Sequence, residues 1–249
     1  IAQARAQREA AGDGATPEQL AFWEALEIVY SAAIALSRRF AALAYQLADR
    51  YPEHRARLVA VARVCDQVPE RAPRTLHEAL QFAWFMHELI EMEGERVRSA
   101  GHFDRLFLPY YTADLAAGRL TRDQAKELIK HLWFKHYART RGRENGKNYC
   151  LGGQYRDGSE VVNELTYLAL EAYEELGTPD PKLSVRFTPN TPDTLYRRVA
   201  DLIRRGQSAF VLINDVPAVE ALVKRGKTVE DARAYLPIGC YEPAVDGKE

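Results

Sequence analysis

Asn148-Tyr149-Cys150-Leu151-Gly152-Gly153 is the stretch at which this chain changes from a helical to an alternating pattern. A short apolar run closed by two glycines reads as a strand ending in a turn. Extended candidates follow at 148–151, 183–187, 209–213 and 235–238. Helical patterns lie between them over 159–176, 192–205, 216–224 and 228–234. Strands separated by helices predict an α/β arrangement.

Upstream the reading is helical. Thr16-Pro17-Glu18-Gln19 carries an N-cap, a proline at the first helical position and a glutamine three residues after the cap. From there to residue 50, Leu20, Trp23, Leu26, Ile28, Ile34, Leu36, Phe40, Leu43 and Leu47 recur on helical spacing. The many alanines in this helix predict close packing with its neighbours. Pro52 ends the helix, and a second runs over 53–67 before Pro69. Thr75-Leu76-His77-Glu78 opens a third, apolar on several sides, which predicts a place inside a large core. Residues 94–101 read as a charged loop, and Leu120-Thr121-Arg122-Asp123 starts a further helix through His136 or beyond. The organisation is thus 1–142 mainly helical and 143–249 alternating.

The 249 residues are 47% hydrophobic and 28% charged, ordinary values for a globular protein. A net charge of −1 gives no basic footprint for nucleic acid or an anionic membrane. No uninterrupted apolar run approaches the ~20 residues that span a bilayer. Cys65, Cys150 and Cys240 are too few and too scattered for a disulfide framework or a zinc site, which fits a reducing cytoplasm. His131 and His136 stand five apart, wrong for one helix face, so no metal site is expected. Gly152-Gly153 lacks both dinucleotide spacing and a P-loop lysine. The first and last residues look like cut ends, so a segment of a longer polypeptide is expected.

Gly239-Cys240-Tyr241-Glu242-Pro243 carries the chemistry. In an extended segment, Cys240 and Glu242 point to the same side. A sulfur and a carboxylate facing one substrate suit hydrogen-atom and proton transfer together. A thiolate nucleophile needs a base, yet no histidine follows His136, and the Glu242 charge disfavours a thiolate. The local sequence favours a neutral thiol. The ordinary alternative is a buried, inert cysteine.

Several motifs then occur in order: Pro73-Arg74-Thr75-Leu76-His77-Glu78-Ala79-Leu80-Gln81 with Trp84-Phe85; Gly101-His102-Phe103-Asp104-Arg105 with Pro109-Tyr110-Tyr111 and Asp114; and the opening stretch with Asn163-Glu164-Leu165-Thr166-Tyr167. Leu183-Ser184-Val185-Arg186, Asn214-Asp215, Asp231-Ala232-Arg233-Ala234-Tyr235 and the cysteine pentapeptide follow. Together they resemble the glycyl radical enzymes, the pyruvate formate-lyase and diol dehydratase superfamily. The resemblance implies that residues 1–249 are the central segment of one larger domain. It also implies part of a ten-stranded α/β barrel with the cysteine on a central loop. A glycyl radical, installed by an S-adenosylmethionine iron–sulfur activating enzyme, then takes the thiol hydrogen of Cys240, and the thiyl radical attacks a small-molecule substrate. Glu242 is implied as acid/base, its pKa raised by burial. No bound cofactor is implied within this segment, and a homodimer is.

The chain also departs from the family pattern. The glycyl motif is absent from these residues. His102 and Arg105 alter the usual polar run around Asp104. Glu95-Arg96-Val97-Arg98-Ser99 stands where diol dehydratases hold hydroxyls, and an arginine there suits a carboxylate or other anion. The substrate-binding candidates are therefore Glu95, Arg96, His102 and Asp104. No second cysteine adjoins Cys240, which argues against formate production from pyruvate. The expected activity is a lyase or dehydratase cleaving a C–O, C–N or C–S bond. The alternatives are a decarboxylase of an arylacetate-like acid and an inactive paralogue serving as a scaffold.

Overall fold

The computed structural model describes residues 1–94, 98–140, 147–239, 241–245 and 247–248, with Arg98 described by its backbone alone. The chain forms two compact units, Ile1–Leu89 and Ile90–Glu249. The change of pattern at 142/143 falls inside the second.

The first unit is helical. After α1 (Ala2–Ala11), α2 runs Pro17–Arg50, opened by the reciprocal Thr16–Gln19 capping box. Next come α3 (Arg55–Gln67) and α4 (Leu76–Met92). Apart from Trp23, the buried positions of α2 are small residues rather than its large apolar stripe. Ala33, Ser37, Ala41, Ala44 and Ala48 are buried, whereas Leu20, Ile28, Phe40 and Leu43 are exposed. Small side chains let the helices approach closely. The Ser37 hydroxyl bridges the Cys65 carbonyl at 2.6 Å and the Val68 carbonyl at 2.7 Å, closing the last turn of α3. Ala41, Val64, Cys65, Val68 and Phe85 form the core there. By length and composition alone, α2 is apolar enough to cross a membrane, which the search for uninterrupted runs does not register. The enclosure expected for α4 is incomplete, since Ile90 and Met92 are exposed.

The second unit is built on β1 (Arg98–His102), β2 (Lys147–Gly152), β3 (Lys182–Phe187) and β4 (Phe210–Asn214), all parallel and in that order. β1 lies within the stretch read as a charged loop. Its sequence has no β-branched or aromatic residue, so only pairing with β2 makes it a strand. Helices α5 (Phe103–Leu106), α6 (Leu108–Ala116) and α7 (Arg122–Thr140) cross from β1 to β2. Then α8 (Glu164–Leu176) and α9 (Asp193–Arg204) make the next two crossovers. The expected start of α8 at 159 is five residues early. Asp157 instead accepts from the Ser159 N–H at 2.9 Å in a tight turn, and Asn163 caps the helix. Beyond β4 lie α10 (Asp215–Lys224), α11 (Val229–Arg233) and an antiparallel hairpin of β5 (Tyr235–Ile238) and β6 (Glu242–Val245).

The two faces of the sheet differ in chemistry. Alternation puts Tyr149, Leu151, Leu183 and Val185 on one face, all buried. Tyr149 packs on Trp133 and Phe103 there. The other face carries Asn148, Cys150 and Gly152 from β2 and Ser184 and Arg186 from β3, aligned by the register Cys150↔Ser184 and Gly152↔Arg186. This polar face holds the β5–β6 hairpin.

Candidate active site at the hairpin

Arg186 is the charge that organises this face. It is wholly buried, which an arginine tolerates only when paired and hydrogen-bonded. Its Nε and Nη2 donate to the two Asp215 carboxylate oxygens at 2.8 and 2.7 Å. Nη2 also donates to the Arg233 carbonyl at 2.9 Å, and Nη1 to the Tyr235 carbonyl at 2.7 Å. The guanidinium lies 3.9 Å from the Tyr235 ring centre, and the Tyr235 hydroxyl returns to Asp215 at 2.9 Å. The first residue of β5 is therefore held from both its backbone and its side chain.

Gly153 makes room for this group. It has φ of +82°, and a Cβ there would sit 2.7 Å from Arg186 Cζ. The glycine pair that ends β2 thus serves a buried guanidinium rather than a phosphate. Cys150, on the same face, is pushed up to about 12 by burial, so it is a neutral thiol.

Four residues after Tyr235, just past the end of β5, there is a second anchor. Asn148 is fully buried, and its Nδ2 donates to the Gly239 carbonyl at 2.7 Å. Arg186 is level with Gly152 at the end of β2, and Asn148 is near its start. The strand β5 accordingly runs back across the polar face, from the C-terminal ends of the parallel strands toward their N-terminal ends.

The hairpin connection departs from the expected geometry. Gly239 and Tyr241 have φ of +52° and +82°, and the Tyr241 N–H donates to the Ile238 carbonyl at 2.8 Å. The chain therefore reverses between Ile238 and Glu242, which pair across the hairpin. The expectation that Cys240 and Glu242 share one side of an extended run involves Cys240, which is not among the described residues. Glu242 is exposed, so the enclosed carboxylate expected from the sequence is not formed by the described residues. Cys240, Glu95 and Arg96 lie outside the described residues.

His102 and Asp104, the remaining sequence candidates, are both enclosed. His102 pairs with Cys150 across β1 and β2, on the hairpin face. Burial first, then the positive charges of Arg105 and Arg186, push it down to about 3, so its imidazole is neutral. Asp104 points elsewhere. Its Oδ2 accepts from the Gly152 N–H and the Thr166 hydroxyl, each at 2.7 Å, while its carbonyl accepts from Asn163 Nδ2 at 2.9 Å. These bonds tie α5, the end of β2 and the start of α8 together, so Asp104 braces three elements through Oδ2 and its carbonyl. Burial pushes its carboxyl up to about 7.

Sequence reasoning quoted Asn148, Arg186, Asp215 and Tyr235 inside motifs and gave none of them a role. The available signal was an arginine flanked by the apolar Val185 and Phe187 in a short strand.

The match to known proteins decides the family. The pyruvate formate lyase-like model matches residues 1–249. The chain belongs to the pyruvate formate lyase-like family of glycyl radical enzymes. Among its relatives in that family, isethionate sulfite-lyase of Nitratidesulfovibrio vulgaris is 34% identical over 248 residues, covering 93% of this chain and 30% of that protein. A glycyl radical enzyme from Archaeoglobus fulgidus superposes with a TM-score of 0.91 at 29% identity, covering 98% of this chain and 34% of that one. The glycerol-bound B12-independent glycerol dehydratase from Clostridium butyricum gives 0.88 at 34% identity, covering 98% and 33%. The chain thus spans about a third of the length of the relatives it matches, and its helix-rich α/β fold corresponds to part of theirs.

Proposed function

We propose that this chain supplies the central segment of a glycyl radical lyase or dehydratase. Its substrate is a small hydroxylated or anionic molecule that loses water, an amine or a sulfonate group through C–O, C–N or C–S cleavage. The observation that carries this reading is the Asn148–Gly239 hydrogen bond of 2.7 Å, which fixes the backbone of the residue before Cys240 on the polar face of a parallel sheet. Relatives with sulfite-lyase and dehydratase activity support the reaction class.

A glycyl radical from outside these residues would supply the unpaired electron, and the exposed Tyr241, Glu242 and Pro243 leave the hairpin open on that side. The chemistry of this chain's own residues then follows. Cys240, as a thiyl, takes a hydrogen atom from the substrate carbon beside the leaving group. A C–H bond breaks, an S–H bond forms and the radical moves to carbon. Glu242 takes the proton of the hydroxyl on that carbon, and the neighbouring C–X bond breaks with its electron pair leaving on X. The product radical recovers a hydrogen atom from the Cys240 thiol. In this reading Arg96 and Glu95 meet the substrate's charged or hydroxyl groups. His102, being neutral, offers a hydrogen bond rather than charge.

The test uses the full-length enzyme with its activating enzyme, without oxygen, and the Glu242→Gln variant. Elimination should fall about 100-fold or more, while deuterium exchange between substrate and the thiol persists. Elimination at the wild-type rate would overturn the role of Glu242.

A further inference from the structure

The hairpin is attached to the sheet at two places that do different work. At the first, the buried Arg186–Asp215 pair grips the Arg233 and Tyr235 carbonyls. At the second, the Asn148 side chain donates to the Gly239 carbonyl. Asn148 is fully buried, and its Oδ1 has no partner among the described residues, so the contact that fixes its amide there is the one its Nδ2 donates to Gly239. A leucine or valine would fill a sheet face at lower cost than an asparagine with one orphaned oxygen. The retained polar group therefore has a use other than packing.

The backbone shows what that use is. Between the two anchors, β5 spans four residues in which Pro237 has no N–H to offer a neighbour. Past the second anchor, the chain turns through positive φ at Gly239 and Tyr241. A tyrosine in the left-handed region is an uncommon conformation that persists only where its surroundings hold it. With the Gly239 carbonyl released, the turn is free to relax while the Arg186 anchor keeps the start of β5 in place.

We propose that Asn148 is a positioning residue for the radical chemistry: its hydrogen bond to Gly239 holds the backbone that leads into Cys240. Arg186, with Asp215, is the fixed end of the same device. This rests on the function proposed above. It implies that loss of the Asn148 donor shifts the Gly239 backbone, and with it the segment that carries the reacting residue, without emptying the substrate site. Misplacement by about 1 Å costs about 100-fold in rate when a hydrogen atom must be transferred at close range.

The experiment compares full-length wild type with Asn148→Ala, Asn148→Asp and Asn148→Gln after anaerobic activation. Radical content is measured by electron paramagnetic resonance, kcat and KM by product formation, and hairpin protection by amide hydrogen exchange. Asn148→Ala and Asn148→Asp should lose about 10- to 100-fold in kcat, with wild-type radical content and KM within about twofold. Amides of 238–245 should exchange faster while those of β2 and β3 stay protected. Asn148→Gln, which keeps the donor, should recover part of kcat. Unchanged kcat in Asn148→Ala with a loaded radical would overturn the proposal, as would a loss of kcat and KM together with loss of protection throughout the sheet. If the alanine variant fails to load a radical, the aspartate and glutamine pair decides the matter, and equal kcat in the two overturns it. A Cys240→Ser arm separates the two levels, because turnover in that variant would overturn the proposed function itself.

Discussion

Arg186 and Asp215 share two hydrogen bonds of 2.8 and 2.7 Å with neither side chain reached by solvent, and the pair holds the first residue of the hairpin that leads to Cys240. It joins β3, the start of α10 and β5 through one guanidinium. Such a pair is costly to desolvate and costlier to break.

Asp215→Ala should therefore destabilise the full-length protein by about 3–5 kcal/mol, because it leaves the buried guanidinium uncompensated. Denaturant unfolding followed by tryptophan fluorescence measures this. A loss below about 1 kcal/mol, the value of an exposed pair, would show that Arg186 reaches water.

Gly153→Ala combines φ of +82° with a Cβ placed 2.7 Å from Arg186 Cζ. Its cost should be about 2–4 kcal/mol. At Gly177, φ is +60° and nothing lies within 4 Å of an added Cβ. Gly177→Ala should cost only about 1 kcal/mol. Equal thermal shifts in the two variants would contradict the close approach at Gly153.

Ser37→Ala removes the hydroxyl that bridges the Cys65 and Val68 carbonyls. Two buried acceptors lose their shared donor, at a cost of about 1–3 kcal/mol. Chemical denaturation reads this directly, and a neutral substitution would mean that the carbonyls find other donors.

Asp104 and His102 give opposite pH dependences. Asp104 is raised from 3.8 to about 7, so the folded protein binds its proton more tightly than the unfolded chain. Its contribution is full below pH 4 and is lost as pH rises toward 7. His102 is lowered from 6.5 to about 3, so its contribution is present above pH 6.5 and is lost as pH falls toward 3. Asp104→Asn should remove the alkaline-side loss and leave the acid-side loss in place. A pH–stability curve unchanged by the substitution would show that Asp104 is already ionised at low pH.

Most elements were legible because their signals are local. Thr16 and Gln19 opened α2 as read, and Thr121 with Gln124 caps α7 reciprocally at 3.2 and 2.8 Å. The strands at 183–187 and 235–238 came from short apolar runs bounded by turns. Two features had no local signal. β1 is a strand only because β2 lies beside it. From Ala33 onward the buried face of α2 is alanine and serine, with α3 packed against this helix, although hydrophobicity alone points to Phe40 and Leu43. The site divides in the same way. The Cys240–Glu242 pair stood out by residue type, but the hairpin around it is held by contacts far away in sequence, from Asn148 to Gly239 and from Arg186 to Tyr235. A rule of alternation has no means to see these.

The central claim is that the Cys240 sulfur relays the hydrogen atom between a protein radical and the substrate. The direct measurement is anaerobic activation of full-length Cys240→Ser, with the radical quantified by electron paramagnetic resonance and product followed in the same sample. The account predicts a loaded radical and no product. Product formed at a rate near that of the wild type, from a sample carrying the same radical, would contradict it.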